Sequence, residues 1–172
     1  TIPAGLAKTW YVPAHIPDLP EGFVGSVVVS SDQPVVANVN TQVPTDSGDT
    51  PDNPNRIGTS SGISDLSTTL YFTQLMHDYW GWNSYIAVQN TSDSEATAVV
   101  RYYDEIDGSE VTAARDTQAI PAYSTYIFHQ PENSHLDTFW HGSAVVTGTQ
   151  PLAGIANFYN SGSSKDTAQF HS

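Results

Sequence analysis

The stretch Asp46-Ser47-Gly48-Asp49-Thr50-Pro51-Asp52-Asn53 sets side-chain oxygens three residues apart in a loop-forming context. Extracellular Ca²⁺ takes roughly six to eight oxygens from such loops, so Asp46, Asp49, Asp52 and Asn53 are the residues that would hold calcium. The spacing is not that of an EF-hand, and a solvated acidic loop is the simpler reading. Asp104, Glu105, Asp107 and Glu110 ring the Asp107-Gly108 pair, where a plain turn explains the acid. His129, His135 and His141 recur every six residues. Zinc ligands sit closer together or on facing strands, so these read as scattered surface histidines. The chain has no Gly-x-Ser-x-Gly, no His-Glu-x-x-His and no phosphate loop. The expectation is therefore a protein that is not an enzyme, with no catalytic residues and no cofactor beyond calcium.

Two further features could bind or carry sugar. Trp80, Trp82 and Tyr85, next to Tyr79, supply the flat apolar faces on which sugar rings stack, although aromatics in β proteins more often fill the core or cap its open end. Asn90-Thr91-Ser92 is a glycosylation sequon and equally a turn, and the turn is the preferred reading.

Composition narrows the classes. Eighteen acidic residues against five basic ones give a formal charge of −13 in 172 residues. That balance opposes binding to nucleic-acid phosphates or to anionic lipid. No apolar run approaches the roughly 20 residues of a membrane span. The absence of cysteine excludes disulfides, thiol nucleophiles and thiolate metal sites together. Abundant Ser, Thr, Asn, Gly and Pro with little Lys, Leu or Met fits an extracellular or cell-surface β protein. Thr1 in place of an initiator methionine suggests a processed or trimmed chain.

The elements that would position these residues are short and strand-like. Strands are expected at Lys8–Val12, Gly25–Ser30, Val35–Val43, Tyr85–Gln89, Thr97–Tyr103, Val111–Arg115 and Ser124–Phe128, with Asp107-Gly108 as a two-residue hairpin turn. Residues 66–76 mix strand and helix formers. Residues 44–64 read as a long exposed loop. No segment keeps a helical period over 11 residues, and the fold class expected is all-β, an antiparallel β-sandwich of immunoglobulin-like architecture.

An internal repeat organises the chain. Gly142-Ser-Ala-Val-Val-Thr-Gly-Thr-Gln-Pro-Leu-Ala-Gly-Ile-Ala-Asn157 matches Gly25-Ser-Val-Val-Val-Ser-Ser-Asp-Gln-Pro-Val-Val-Ala-Asn-Val-Asn40 at 7 of 16 ungapped positions. Upstream, Ile2-Pro3-Ala4 matches Ile120-Pro121-Ala122, Trp10 falls on Phe128, Leu19 on Leu136 and Phe23 on Trp140. The front half of the later copy, Tyr85 to Arg115, has no counterpart before Thr1. The organisation expected is a partial repeat at 1–43 (a back half), a loop at 44–64, and a complete repeat at 65–172.

The residues Leu70-Tyr-Phe-Thr-Gln-Leu, Gly81-Trp-Asn-Ser-Tyr-Ile-Ala-Val-Gln-Asn90, Val99-Val-Arg-Tyr-Tyr-Asp, Ile120-Pro-Ala and the 142–157 block resemble a poorly characterised β-sandwich repeat found in tandem in secreted and cell-surface bacterial proteins. The resemblance covers about 70–157 fully and 2–40 in part. It implies an extracellular structural or adhesive role and brings no catalytic residues.

A half-repeat leaves an apolar sheet face and unpaired strand edges in water, which is costly and adhesive. The half could pack onto the complete repeat, could have lost its upstream strands by cleavage, or could take strands from another copy. The function expected is an extracellular structural subunit that self-assembles into a filament or surface layer by β-strand sharing. The alternatives are a glycan-binding or adhesive module using Tyr79–Trp82, and a calcium-dependent surface domain.

Overall fold

A computed structural model of the chain describes residues 1–20, 23, 25–43, 56–160 and 169–171. It is all-β and mostly antiparallel, apart from one helical turn (Val12–His15) and two 3-10 turns (Thr112–Ala114, Gln130–Glu132). A two-stranded ribbon pairs β1 (Asn38–Val43) with β2 (Arg56–Ser61). Seven further strands form one continuous, barrel-like sheet: β3 (Ser67–His77), β4 (Trp82–Asn90), β5 (Ala96–Asp104), β6 (Asp116–Ile120), β7 (Thr125–His129), β8 (Trp140–Asn160) and β9 (Gln169–His171).

The long strand β8 is the axis of this sheet. Its first half pairs with β5 (Val100↔Val146) and β3 (Leu70↔Val146) on its two edges. Its second half pairs with β4 (Ile86↔Ala156) and, on the other edge, β9 (Ala156↔His171). The change of partners falls at Gln150-Pro151, the centre of the repeated sequence block. Proline has no N–H to give a ladder, and Pro151 instead offers its carbonyl to the Thr91 amide (3.1 Å) and hydroxyl (2.8 Å). Just before it, a Cβ on Gly148 would lie 2.6 Å from Leu152 Cδ1, so any larger residue at the bend would force the buried Leu152 to shift.

Alternation fills the interior. Ala98, Val100 and Tyr102 of β5 are buried, as are Ile86 and Val88 of β4 and Ala144, Val146 and Leu152 of β8. Each large apolar side chain removed from water contributes about 1.5–3 kcal/mol. One polar network inside is closely paired, although Trp140 Nε1, His141 Nε2 and Asn157 Oδ1 are buried without a partner among the described residues. Fully buried Gln130 accepts from Ser84 Oγ (2.9 Å) and donates to Phe128 O (3.0 Å) and Tyr102 Oη (3.3 Å). Burial pushes the Tyr102 phenol up to about 12.

Several expected elements differ. Lys8–Val12 and Gly25–Ser30 are not strands, and residues 12–15 form a helical turn instead. With no strand beside them among the described residues, the amides of Ala14 and His15 bond back to the Tyr11 carbonyl. Of Val35–Val43, only β1 at Asn38–Val43 forms. Residues 56–61, expected within the 44–64 loop, pair with β1 as β2; residues 44–55 lie outside the described ones. Val111–Arg115 is replaced by the 3-10 turn that tucks Ala114 into the core. The β5–β6 connection is then too long for a two-residue hairpin, although Gly108 does take the positive φ (70°) that its turn requires. Residues 66–76 resolve as strand β3.

Candidate functional site

The structure separates most residues that sequence chemistry had grouped. The calcium candidates Asp46, Asp49, Asp52 and Asn53 lie outside the described residues. Among the described residues, no group of three or more His, Asp or Glu side chains could hold a metal ion. His129 bonds Glu132 (3.0 Å) and Tyr159 Oη (2.6 Å), whereas His141 bonds Glu105 (2.5 Å). Burial raises the Tyr159 phenol, with the Glu132 carboxylate acting in the same direction. At the β5–β6 tip, the Asp107 carboxyl is lowered by accepting hydrogen bonds from Ser109. No described helix is long and apolar enough to cross a membrane.

Asn90 is an interior clasp. Its Nδ2 donates to the carbonyls of Ser94 (2.7 Å), Ile120 (3.0 Å) and Pro121 (3.1 Å), while Oδ1 accepts from the Ser92 amide and hydroxyl. The side chain is fully buried, so the folded chain presents no acceptor nitrogen for a glycan there.

The aromatic group divides. Trp80 is 76% exposed, but Trp82 packs against the core and Tyr85 stands edge-on to His129, 6.1 Å between ring centroids. Burial raises the Tyr85 phenol. The partner of Trp80 is Phe139, perpendicular at 5.8 Å and also exposed. Both sit on left-handed backbone, Trp80 at φ 54° and Phe139 at φ 69°. Bulky residues avoid that region, at a cost of about 1–3 kcal/mol each, unless their surroundings fix them. The surroundings here are tight: Tyr79 stacks on His141 (4.9 Å), and Tyr79 and Trp82 exchange both backbone hydrogen bonds across Gly81. Sequence reasoning missed Phe139. The signal was its place beside Trp140 at a strand start, where alternation lets only one of two neighbouring rings face inward.

The most extensive candidate is the N-terminal half-repeat. Ile120, Phe128, Trp140, Val146 and Leu152 are no more than 6% exposed, whereas their counterparts Ile2, Trp10, Phe23, Val29 and Val35 are 41–51% exposed. The match extends to backbone detail. A Cβ on Gly142 would overlap the Tyr103 carbonyl and press on the Trp140 ring (2.6 Å), and a Cβ on its counterpart Gly25 would overlap the Phe23 ring. In both copies an aromatic two residues earlier covers a glycine. The later copy lies within the seven-stranded sheet, whereas in the earlier one only residues 38–40 join a ladder, with β2, among the described residues. The backbone of Gly25–Ser30 makes no hydrogen bond to any described residue. Among the described residues its hydrogen bond to the sheet is from Thr125 Oγ1 to Ser26 Oγ, 2.9 Å, at the start of β7.

No family model matches the chain, and no curated protein matches it. Among solved structures it is similar to the Anabaena sensory rhodopsin transducer, at 14% identity and a TM-score of 0.45, over 55% of this chain and 91% of that one.

Proposed function

We propose that this chain is a non-enzymatic structural subunit of an extracellular or surface assembly, and that copies join into a filament or layer by sharing β-strands at the N-terminal half-repeat. One observation carries the reading: residues 2–40 reproduce the interior anchors of β6–β8 and hold them in water. A Val-rich segment with no charged side chain and no backbone hydrogen bond among the described residues gains both such bonds and apolar burial by joining a sheet edge. We take β6-β5-β8-β3 and β7-β4-β8-β9 as the two layers of an immunoglobulin-like sandwich stitched by β8. Sedimentation velocity and electron microscopy of the full chain test the proposal. Growth into filaments or layers with rising concentration is expected, and uniform monomers at the highest soluble concentration refute it.

A second reading is adhesive: the Trp80–Phe139 pair as a contact for glycans, supported by its exposure on constrained backbone. Glycan-array binding lost on Trp80→Ala would favour it, and binding indifferent to Trp80 would remove it.

A further inference from the structure

We infer that the open edge of β7 is the acceptor for the Gly25–Ser30 segment of a second copy, which adds there as an extra strand. The inference rests on the strand-sharing function above and names the two surfaces that meet.

Replacement of β8 by its N-terminal twin is the obvious alternative, and the packing opposes it. A Cβ on Gly154 would lie 2.9 Å from Leu70 Cδ1 and 3.0 Å from Phe72 Cζ, yet the twin places Ala37 there. At Gly148, where a Cβ would meet Leu152 Cδ1 at 2.6 Å, the twin carries Ser31. Each copy also brings two back halves and one front half, so exchange always leaves a back half unpaired. Addition to an edge leaves none stranded.

Among the described strands of this sheet, β3, β6, β7 and β9 have one neighbour each. Three observations select β7. Ser26 is already bonded to Thr125 at its start, without a backbone ladder. The aromatic face of β7 is incompletely covered, with Tyr126 38% exposed beside Phe128 at 4.9 Å, whereas β6 offers Thr117, Gln118 and Ala119. Val27 and Val29 share one face of an added strand, and β-branched side chains pair well with aromatics across strands. Finally, copies with a formal charge of −13 repel, but residues 25–31 and 121–128 contain no charged side chain. Like charges are therefore kept out of the contact. One donor and one acceptor per copy, on different surfaces, generate an open filament.

The cysteine-free chain allows a direct test. Full-length Ser26→Cys, ¹⁵N-labelled, is mixed with unlabelled Thr125→Cys under assembly conditions and oxidised, and cross-linked peptides are read by mass spectrometry. The expected product joins positions 26 and 125 between a labelled and an unlabelled chain. Adding Val27→Lys and Val29→Lys to the donor should cut its yield about tenfold with the circular dichroism unchanged, because both valines are solvent-exposed before assembly. Cross-linking confined to single chains of the Ser26→Cys/Thr125→Cys double variant would overturn the inference, since the edge would then be closed within one copy. Assemblies lacking the 26–125 link would overturn it while leaving the proposed function standing. Absence of any assembly would overturn both.

Discussion

Two glycines at equivalent repeat positions should respond oppositely to the same substitution. In Gly142→Ala the new methyl meets the Tyr103 carbonyl on β5 and the Trp140 ring at 2.6 Å. Neither can step aside cheaply. Tyr103 is held in the β5–β8 ladder next to the Asp104↔Gly142 pair, and Trp140 is 6% exposed and edge-on to Tyr102 at 5.7 Å. Overpacking a core of this kind costs about 1–3 kcal/mol, and a strained ladder hydrogen bond adds about 1 kcal/mol. A loss of about 3 kcal/mol corresponds to a fall in Tm of roughly 6–12 °C for a chain of this size. In Gly25→Ala the atoms nearest the methyl all belong to the ring of Phe23, which is half exposed and has solvent to turn into. That change should stay within about 0.5 kcal/mol. Calorimetry and urea titration of the two variants, at concentrations where the chain is monomeric, measure the contrast. Equal losses would refute the reasoning, because they would mean that the N-terminal copy is packed as the later one is.

Three other outcomes follow from the same geometry. Asn90→Asp replaces an amide that donates to three carbonyls with a group facing their oxygens in a buried site, and should cost about 3 kcal/mol by urea titration. The Tyr102 phenol titrates at about 12 in the folded chain against 10.0 for the free group. The folded state therefore keeps its proton longer, so this contribution is complete below pH 10 and is lost as pH rises toward 12. The loss amounts to about 3 kcal/mol, and a Tyr102→Phe variant should lack that alkaline slope in its unfolding free energy. Phe139→Gly exchanges a left-handed phenylalanine for the residue that adopts φ 69° freely, and should raise stability by about 1 kcal/mol in thermal unfolding.

Much of the framework was legible before any coordinates. Alternation in Ala98, Val100 and Tyr102 marks the inner face of β5, because side chains on a pleated strand point to opposite sides at every step. The matched blocks at 25–40 and 142–157 mark the repeat, since anchors, glycine and turn recur together. What sequence could not decide is which strands those anchors meet. The same Gly-Ser…Gln-Pro…Asn pattern is buried between β3, β5 and β4 in one copy, while in the other Val27–Val29, Val35 and Val36 are exposed and only its end pairs with β2, because burial depends on neighbours distant in the chain. Phe139, His141 and Glu105 likewise became neighbours of the Trp80 turn only when β8 folded back between β3 and β5. The sequence by itself determined an all-β chain with matching blocks at 25–40 and 142–157, through local periodicity and identity. Tertiary structure alone decided which copy is enclosed, that β8 changes partners at Gln150-Pro151, and that β7 has a single neighbour among the described strands, because hydrogen-bond ladders and packing are set between segments rather than within them.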